Sequence, residues 1–168
     1  QVERLQDALR EQATRDALTG LFNRHHLNHC LPAMFALARR SGQPLAVALI
    51  DLDHFKTIND RHGHDAGDRV LAAFGALLRA QARQSDVLCR WGGEEFCLLM
   101  PQTVAAAARH KLEQLLALWQ AERIDATGSP IAGLGFSAGV CDSSWPDGSG
   151  DALLKTADQA LLQAKRCG

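Results

Sequence analysis

Apolar residues change their spacing several times along this chain, and each change marks an element. Leu45-Ala46-Val47-Ala48-Leu49-Ile50 is an unbroken apolar run, the pattern of a strand buried on both faces. Ahead of it, Leu27, Leu31, Met34, Phe35 and Ala38 recur at helical intervals, and Ser41-Gly42-Gln43-Pro44 ends that helix. Beyond it, Val70, Leu71, Phe74, Leu77 and Leu78 form the apolar stripe of a helix predicted from about Asp65 to Arg83. Two short runs follow, Val87-Leu88-Cys89 and Phe96-Cys97-Leu98-Leu99-Met100, and Gly92-Gly93 falls between them where a β-hairpin would reverse. Thr103 can cap a helix that carries Leu112, Leu115, Leu116 and Trp119, with the alanines 105–108 as strong helix formers. Leu134 to Val140 reads as a further strand, Trp145-Pro146-Asp147-Gly148 as a loop, and Asp151 to Arg166 as a closing helix. This order predicts an α/β (α+β) fold: a mixed central sheet flanked by helices with a β-hairpin turn, not an alternating doubly wound sheet.

The 168 residues, nearly half of them apolar, suffice for one domain with its own core. A formal charge of −1 gives no general attraction to nucleic acid or to a membrane surface, so a ligand has to be read from sites. Cys30, Cys89, Cys97, Cys141 and Cys167 are odd in number and lack CxxC spacing, which fits reduced, mostly buried thiols in the cytosol. No signal-peptide pattern and no run of about eighteen apolar residues is present, so the expectation is a cytoplasmic domain. The chain does not begin with Met and reads as a piece of a larger protein, whose upstream part has room for a sensor or a membrane anchor. Val2, Leu5 and Leu9 repeat at heptad spacing, and residues 1–13 are read as the end of an upstream signalling helix or linker, with 14–168 as the functional domain.

Candidate chemistry gathers at two strand ends. Asp51-Leu52-Asp53-His54-Phe55-Lys56-Thr57-Ile58-Asn59-Asp60 begins where the buried run stops, and α/β sheets bind ligands at such ends. Arg90-Trp91-Gly92-Gly93-Glu94-Glu95-Phe96 makes the hairpin, and glycines without side chains let a phosphate approach the backbone amides. Consecutive strand residues point to opposite faces, so one of Glu94 and Glu95 can face a metal while the other serves separately. Asp51 and Glu94, with the carbonyl of Leu52, supply hard oxygen ligands of the kind Mg²⁺ takes. Lys56 adds a cation close along the chain to these acids, Asn59 can both donate and accept hydrogen bonds, and the Asp68 carboxylate is a further acceptor. His25 and His29, four apart, permit zinc binding, but a helix surface is the better reading because no further ligand is positioned by sequence.

These residues carry a family resemblance: the chain resembles a GGDEF domain, the diguanylate cyclase module, with Gly92 to Phe96 as its GGEEF variant. Thr14-Arg15-Asp16-Ala17-Leu18-Thr19-Gly20-Leu21-Phe22-Asn23-Arg24 is similar to the family's opening signature, and Asp51 to Asp60 to its metal and substrate segment. The resemblance implies a polymerase-palm-like fold and a reaction in which two domains, each holding GTP, meet so that each 3′-hydroxyl attacks the other's α-phosphorus to give cyclic di-GMP. It implies Mg²⁺ or Mn²⁺, two ions per active half-site, a homodimer for catalysis and an upstream sensor domain. Onto this sequence it carries Asp51, Leu52 and Glu94 as metal ligands and Glu94, Glu95 and Lys56 as catalytic groups. It carries Phe55, Asn59, His64, Asp68, Gly92, Gly93 and Lys165 as substrate-binding residues. Whether Glu95 takes the attacking proton directly or the metal promotes its loss stays open at this level.

Arg83-Gln84-Ser85-Asp86 resembles the family's RxxD inhibitory site for cyclic di-GMP. The strand and turn from Asp86 to Gly92 span roughly 20 Å, too far for one guanine to touch both ends, so this would be a second site. Trp91 stands where tyrosine is common, Leu162 replaces a frequent tyrosine, and Gln114 sits where an arginine often supports product binding. The competing expectation is a noncatalytic cyclic di-GMP receptor that uses Arg83 and Asp86, against which the retained Asp51, Lys56, Glu94 and Glu95 argue.

Overall fold

A computed structural model describes residues 1–144 and 148–168; of the segment read as a loop, Trp145, Pro146 and Asp147 lie outside the described residues. The elements run α1 (Val2–Thr14), β1 (Phe22–Asn23), α2 (Arg24–Ser41), β2 (Leu45–Leu52), α3 (Phe55–His62), α4 (His64–Gln81), β3 (Val87–Arg90), β4 (Glu95–Pro101), α5 (Ala105–Ala121), β5 (Phe136–Asp142) and α6 (Gly150–Arg166). The strands form one five-stranded sheet in the order β1-β3-β4-β2-β5. β1 is parallel to β3, and the remaining pairs are antiparallel, so the sheet is mixed as the pattern predicts.

The apolar run forms β2, an inner strand between β4 and β5, and every one of its residues is covered. Ala46, Ala48, Ile50 and Leu52 face a core completed by α4 and α5, while Leu45, Val47 and Leu49 face a second core completed by α2 and α6. Strand alternation thus splits one sequence run between two layers. The larger core is centred on Phe74, whose ring meets Phe96, Trp119 and Phe136 edge-on at 4.8, 4.9 and 5.6 Å between centroids, a favoured aromatic arrangement. Cys89 and Cys97 face each other across β3 and β4 as free thiols, and burial pushes Cys89 up to about 12, which leaves it a poor nucleophile.

Several expectations about elements need correction. Thr103 does not cap α5: its hydroxyl donates to the Pro101 carbonyl at 2.9 Å, and the helix begins at Ala105 with Val104 at its N-cap. The carboxylate of Asp142, arriving from the end of β5, accepts from the Ala105 amide instead at 2.5 Å. The helix expected to reach Arg83 stops at Gln81, and the last strand begins at Phe136, not Leu134. α3 and the two-residue β1 were not predicted, because both are too short to show a period. The α1 stripe of Val2, Leu5 and Leu9 is exposed along its length. Among the described residues no helix is long and apolar enough to cross a membrane.

Candidate active site

β2 and β4 run antiparallel and end together, so the acids at their ends meet by register. Asp51 pairs with Glu95, and the Leu52 amide donates to the Glu94 carbonyl at 3.1 Å. Directly paired residues in an antiparallel ladder present their side chains to the same face. Asp51 and Glu95 therefore share the α6 side of the sheet, while Glu94 lies in the turn beside them. From α6, Lys165 places its ammonium 2.7 Å from Oδ2 of Asp51.

Charge in this corner is unbalanced. Burial raises the pKa of Glu94 above its ordinary value, the charges of Asp51 and Glu95 add to the rise, and Lys165 only partly offsets them. Burial alone would lower Lys165, but its hydrogen bond to Asp51 and the charges of Asp51, Glu95 and Glu94 outweigh that and raise it. Three carboxylates against one lysine make a donor set of hard oxygens short of positive charge, which fits a hard divalent cation. Among the described residues no three His, Cys, Asp or Glu side chains form a ready cage, so such an ion would take part of its shell from ligand oxygens and water.

The hairpin is braced from outside. The Arg90 guanidinium donates to the Gly93 carbonyl at 2.9 Å and to Asp16 Oδ1 at 3.1 Å, tying the turn to the segment after α1. Asp16 in turn accepts from the Thr19 hydroxyl and amide at 2.7 and 2.9 Å. Burial pushes Asp16 upward, but the bonds from Thr19 and the charge of Arg90 outweigh it and hold the carboxyl below its ordinary value. Arg24 lies over the Trp91 ring at 4.0 Å, a cation–π contact that pins the hairpin to α2. A Cβ at Gly92 would lie 2.7 Å from Glu95 Oε2, so a side chain there would make the Glu95 carboxylate swing aside.

α3 and α4 carry most of the remaining residues predicted to bind substrate. His54 takes a left-handed conformation, φ 57°, which turns the chain from β2 into α3. Phe55 packs its ring into the larger core at 8% exposure, so what it offers outward is backbone. Lys56 is exposed on α3 and, among the described residues, pairs with no carboxylate. Asn59 fills the gap beside Gly67, where a Cβ would collide with Asn59 Oδ1, and that oxygen is buried without a partner. His64 and Asp68, one turn apart on α4, are exposed next to it. His25 and His29 are exposed on α2.

Arg83 and Asp86 stand apart, at the opposite end of β3 from the hairpin. Sequence reasoning missed Asp16, Arg90 and Gly67 as site residues. Nothing local pairs Asp16 with Arg90, which are 74 positions apart. Gly67 did carry a signal, being a glycine inside an apolar-periodic helix.

The family described as "Diguanylate cyclase, GGDEF domain" matches residues 13–168. The diguanylate cyclase DgcP of Pseudomonas aeruginosa is 43% identical over 159 residues, which are 95% of this chain and 23% of DgcP. The cyclic di-GMP phosphodiesterase NbdA of the same organism is 40% identical over 170 residues, 100% of this chain and 21% of NbdA. The chain thus spans less than a quarter of the length of these relatives. The structure of the coiled coil and GGDEF domain of DgcB from Caulobacter crescentus, in complex with c-di-GMP, matches with a TM-score of 0.91 at 30% identity, covering 99% of this chain and 90% of that one. The two strand-end motifs, the mixed sheet that joins them and the match over residues 13–168 agree: this chain belongs to the GGDEF-domain family of diguanylate cyclases.

Proposed function

We propose that this domain condenses two GTP into cyclic di-GMP and two pyrophosphates, as half of a homodimer whose two sites face each other. The observation that carries the reading is the corner formed by Asp51, Glu94 and Glu95, with Lys165 2.7 Å from Asp51. Oxygen donors and a lysine cation at a glycine turn suit a triphosphate, and they leave little for a protein that only senses product. Asp51, the Leu52 carbonyl and Glu94 would hold Mg²⁺ or Mn²⁺, which would neutralise phosphate charge and acidify the attacking hydroxyl.

The chain's own groups do the rest. Gly92 and Gly93 let the triphosphate approach the turn, and Lys56 and Lys165 offset the charge that builds on departing pyrophosphate. Asn59 and Asp68 read the guanine edge, which Asp68 does as an acceptor for N1–H and N2–H, while His64 borders the base. Each 3′-oxygen forms a bond to the partner GTP's α-phosphorus as the bond to pyrophosphate breaks. The hydroxyl proton leaves toward Glu95 or to water. α1, with its exposed Val2, Leu5 and Leu9, is the natural element to join two copies in a coiled coil, and an upstream sensor would act through it. Arg83 and Asp86 form a second site for cyclic di-GMP that limits turnover.

Release of pyrophosphate from GTP but not from ATP, by full-length protein stripped of nucleotide, tests this reading. Normal GTP binding with no pyrophosphate would instead favour a receptor that uses Arg83 and Asp86.

A further inference from the structure

We propose that Lys111 is a latch on the product-binding acid, so that cyclic di-GMP must displace its ammonium before it can engage Asp86. The proposal rests on the reading of Arg83 and Asp86 as the product site.

Asp86 sits just before β3, beneath α5, and its side chain is only 1% exposed. Oδ2 accepts from Lys111 Nζ at 2.7 Å and from the Arg83 amide at 2.9 Å. Oδ1 is also buried and has no partner. A guanine needs this carboxylate as an acceptor for N1–H and N2–H, yet one oxygen is engaged twice and the other is turned away from solvent. The Arg83 side chain, by contrast, belongs to an exposed residue and is available at once. The site is therefore half open: its cation is offered and its acid is held.

The unpaired Oδ1 makes this closed arrangement a poised one, because a buried acceptor without a donor is costly and an incoming guanine would supply donors. Lys111 lies one turn before Gln114 on α5, so the helix face that carries an amide at 114 brings its positive charge to Asp86 itself. Gln114 is occupied with His110, 3.2 Å away. A lysine that contacts the acid lowers affinity by competing for it. A lysine that merely props the site open would raise affinity. The two roles predict opposite signs.

Equilibrium binding of cyclic di-GMP to the full-length, nucleotide-free protein separates them, using wild type, Arg83→Ala, Lys111→Met and Lys111→Gln, with thermal unfolding confirming that each folds. The latch predicts about fivefold tighter binding in both Lys111 variants, the scale of one lost ion pair, and inhibition of turnover at correspondingly lower product concentration. Lys111→Gln removes the charge while keeping a polar side chain and so preserves the test should Lys111→Met fold poorly. Unchanged or weaker binding in the folded Lys111 variants, with Arg83→Ala still losing affinity, overturns the latch and leaves the site standing. Unchanged binding in Arg83→Ala removes the site and the latch with it.

Discussion

Lys165 Nζ and Asp51 Oδ2, 114 positions apart in the chain, meet at 2.7 Å and join the last helix to the end of β2. The pair supplies the corner's own cation, while α6 is held on the sheet by its buried Leu153, Ala157 and Leu161. On the proposed function, the phosphates of a bound triphosphate would give this ammonium a second partner.

Lys165→Met should therefore leave the fold intact and cut turnover of GTP about a hundredfold, the usual cost of removing one group that stabilises developing charge. Steady-state kinetics with Mg²⁺ check this; turnover within twofold of wild type would remove Lys165 from the chemistry.

Glu94 and Asp16 should give pH dependences of opposite sign. The folded protein holds Glu94 above its ordinary value of 4.5, so its ionisation lowers stability as pH rises from about 4.5 through the folded pKa. Glu94→Gln should raise the Tm of metal-free protein at pH 7 by about 2 °C and lose that advantage below pH 4.5. Asp16 is held below 3.8, so its contribution is complete above that pH and is lost as pH falls through the folded pKa. Melting curves across pH for the two variants, Glu94→Gln and Asp16→Asn, read both effects.

Gly67→Ala should push Asn59 out of the gap it fills and loosen the guanine edge's contact. About tenfold weaker GTP binding is expected, with ATP binding unchanged. Equal losses for both nucleotides would mean that Asn59 has no part in reading the base.

Gly139 lies where β5 meets α6, and a Cβ there would strike the Ala157 carbonyl and the Leu161 amide, both backbone and unable to swing aside. Gly139→Ala should cost about 2 kcal/mol or more, a fall of about 4–8 °C in Tm, and should disturb Lys165 through the displaced helix. Calorimetry of the variant tests it.

The buried strand β2 was legible because its run of six apolar residues has no other use, and the hairpin because Gly92-Gly93 stands between two apolar stretches. The acids at both strand ends were legible as chemistry. That Asp51 faces Glu95 was not, since register is set by two strands together and a slip of one residue exchanges the faces. Arg90 with Asp16, Lys111 with Asp86 and Asp142 with the Ala105 amide were equally out of reach. Each joins residues that only the sheet order brings near. α3 was missed because eight residues with one buried side chain leave no stripe to count.

In the proposed function, the acid-lined corner of Asp51, Glu94 and Glu95 is where GTP would be turned over. Its most direct test is formation of cyclic di-GMP from GTP and Mg²⁺ by full-length protein, stripped of nucleotide and dimerised, comparing wild type with Glu94→Ala. Product from wild type, reduced about a hundredfold or more in the variant, is the predicted result. Equal product from both would contradict the role of Glu94, and no product from either, with GTP bound, would contradict the catalytic reading itself.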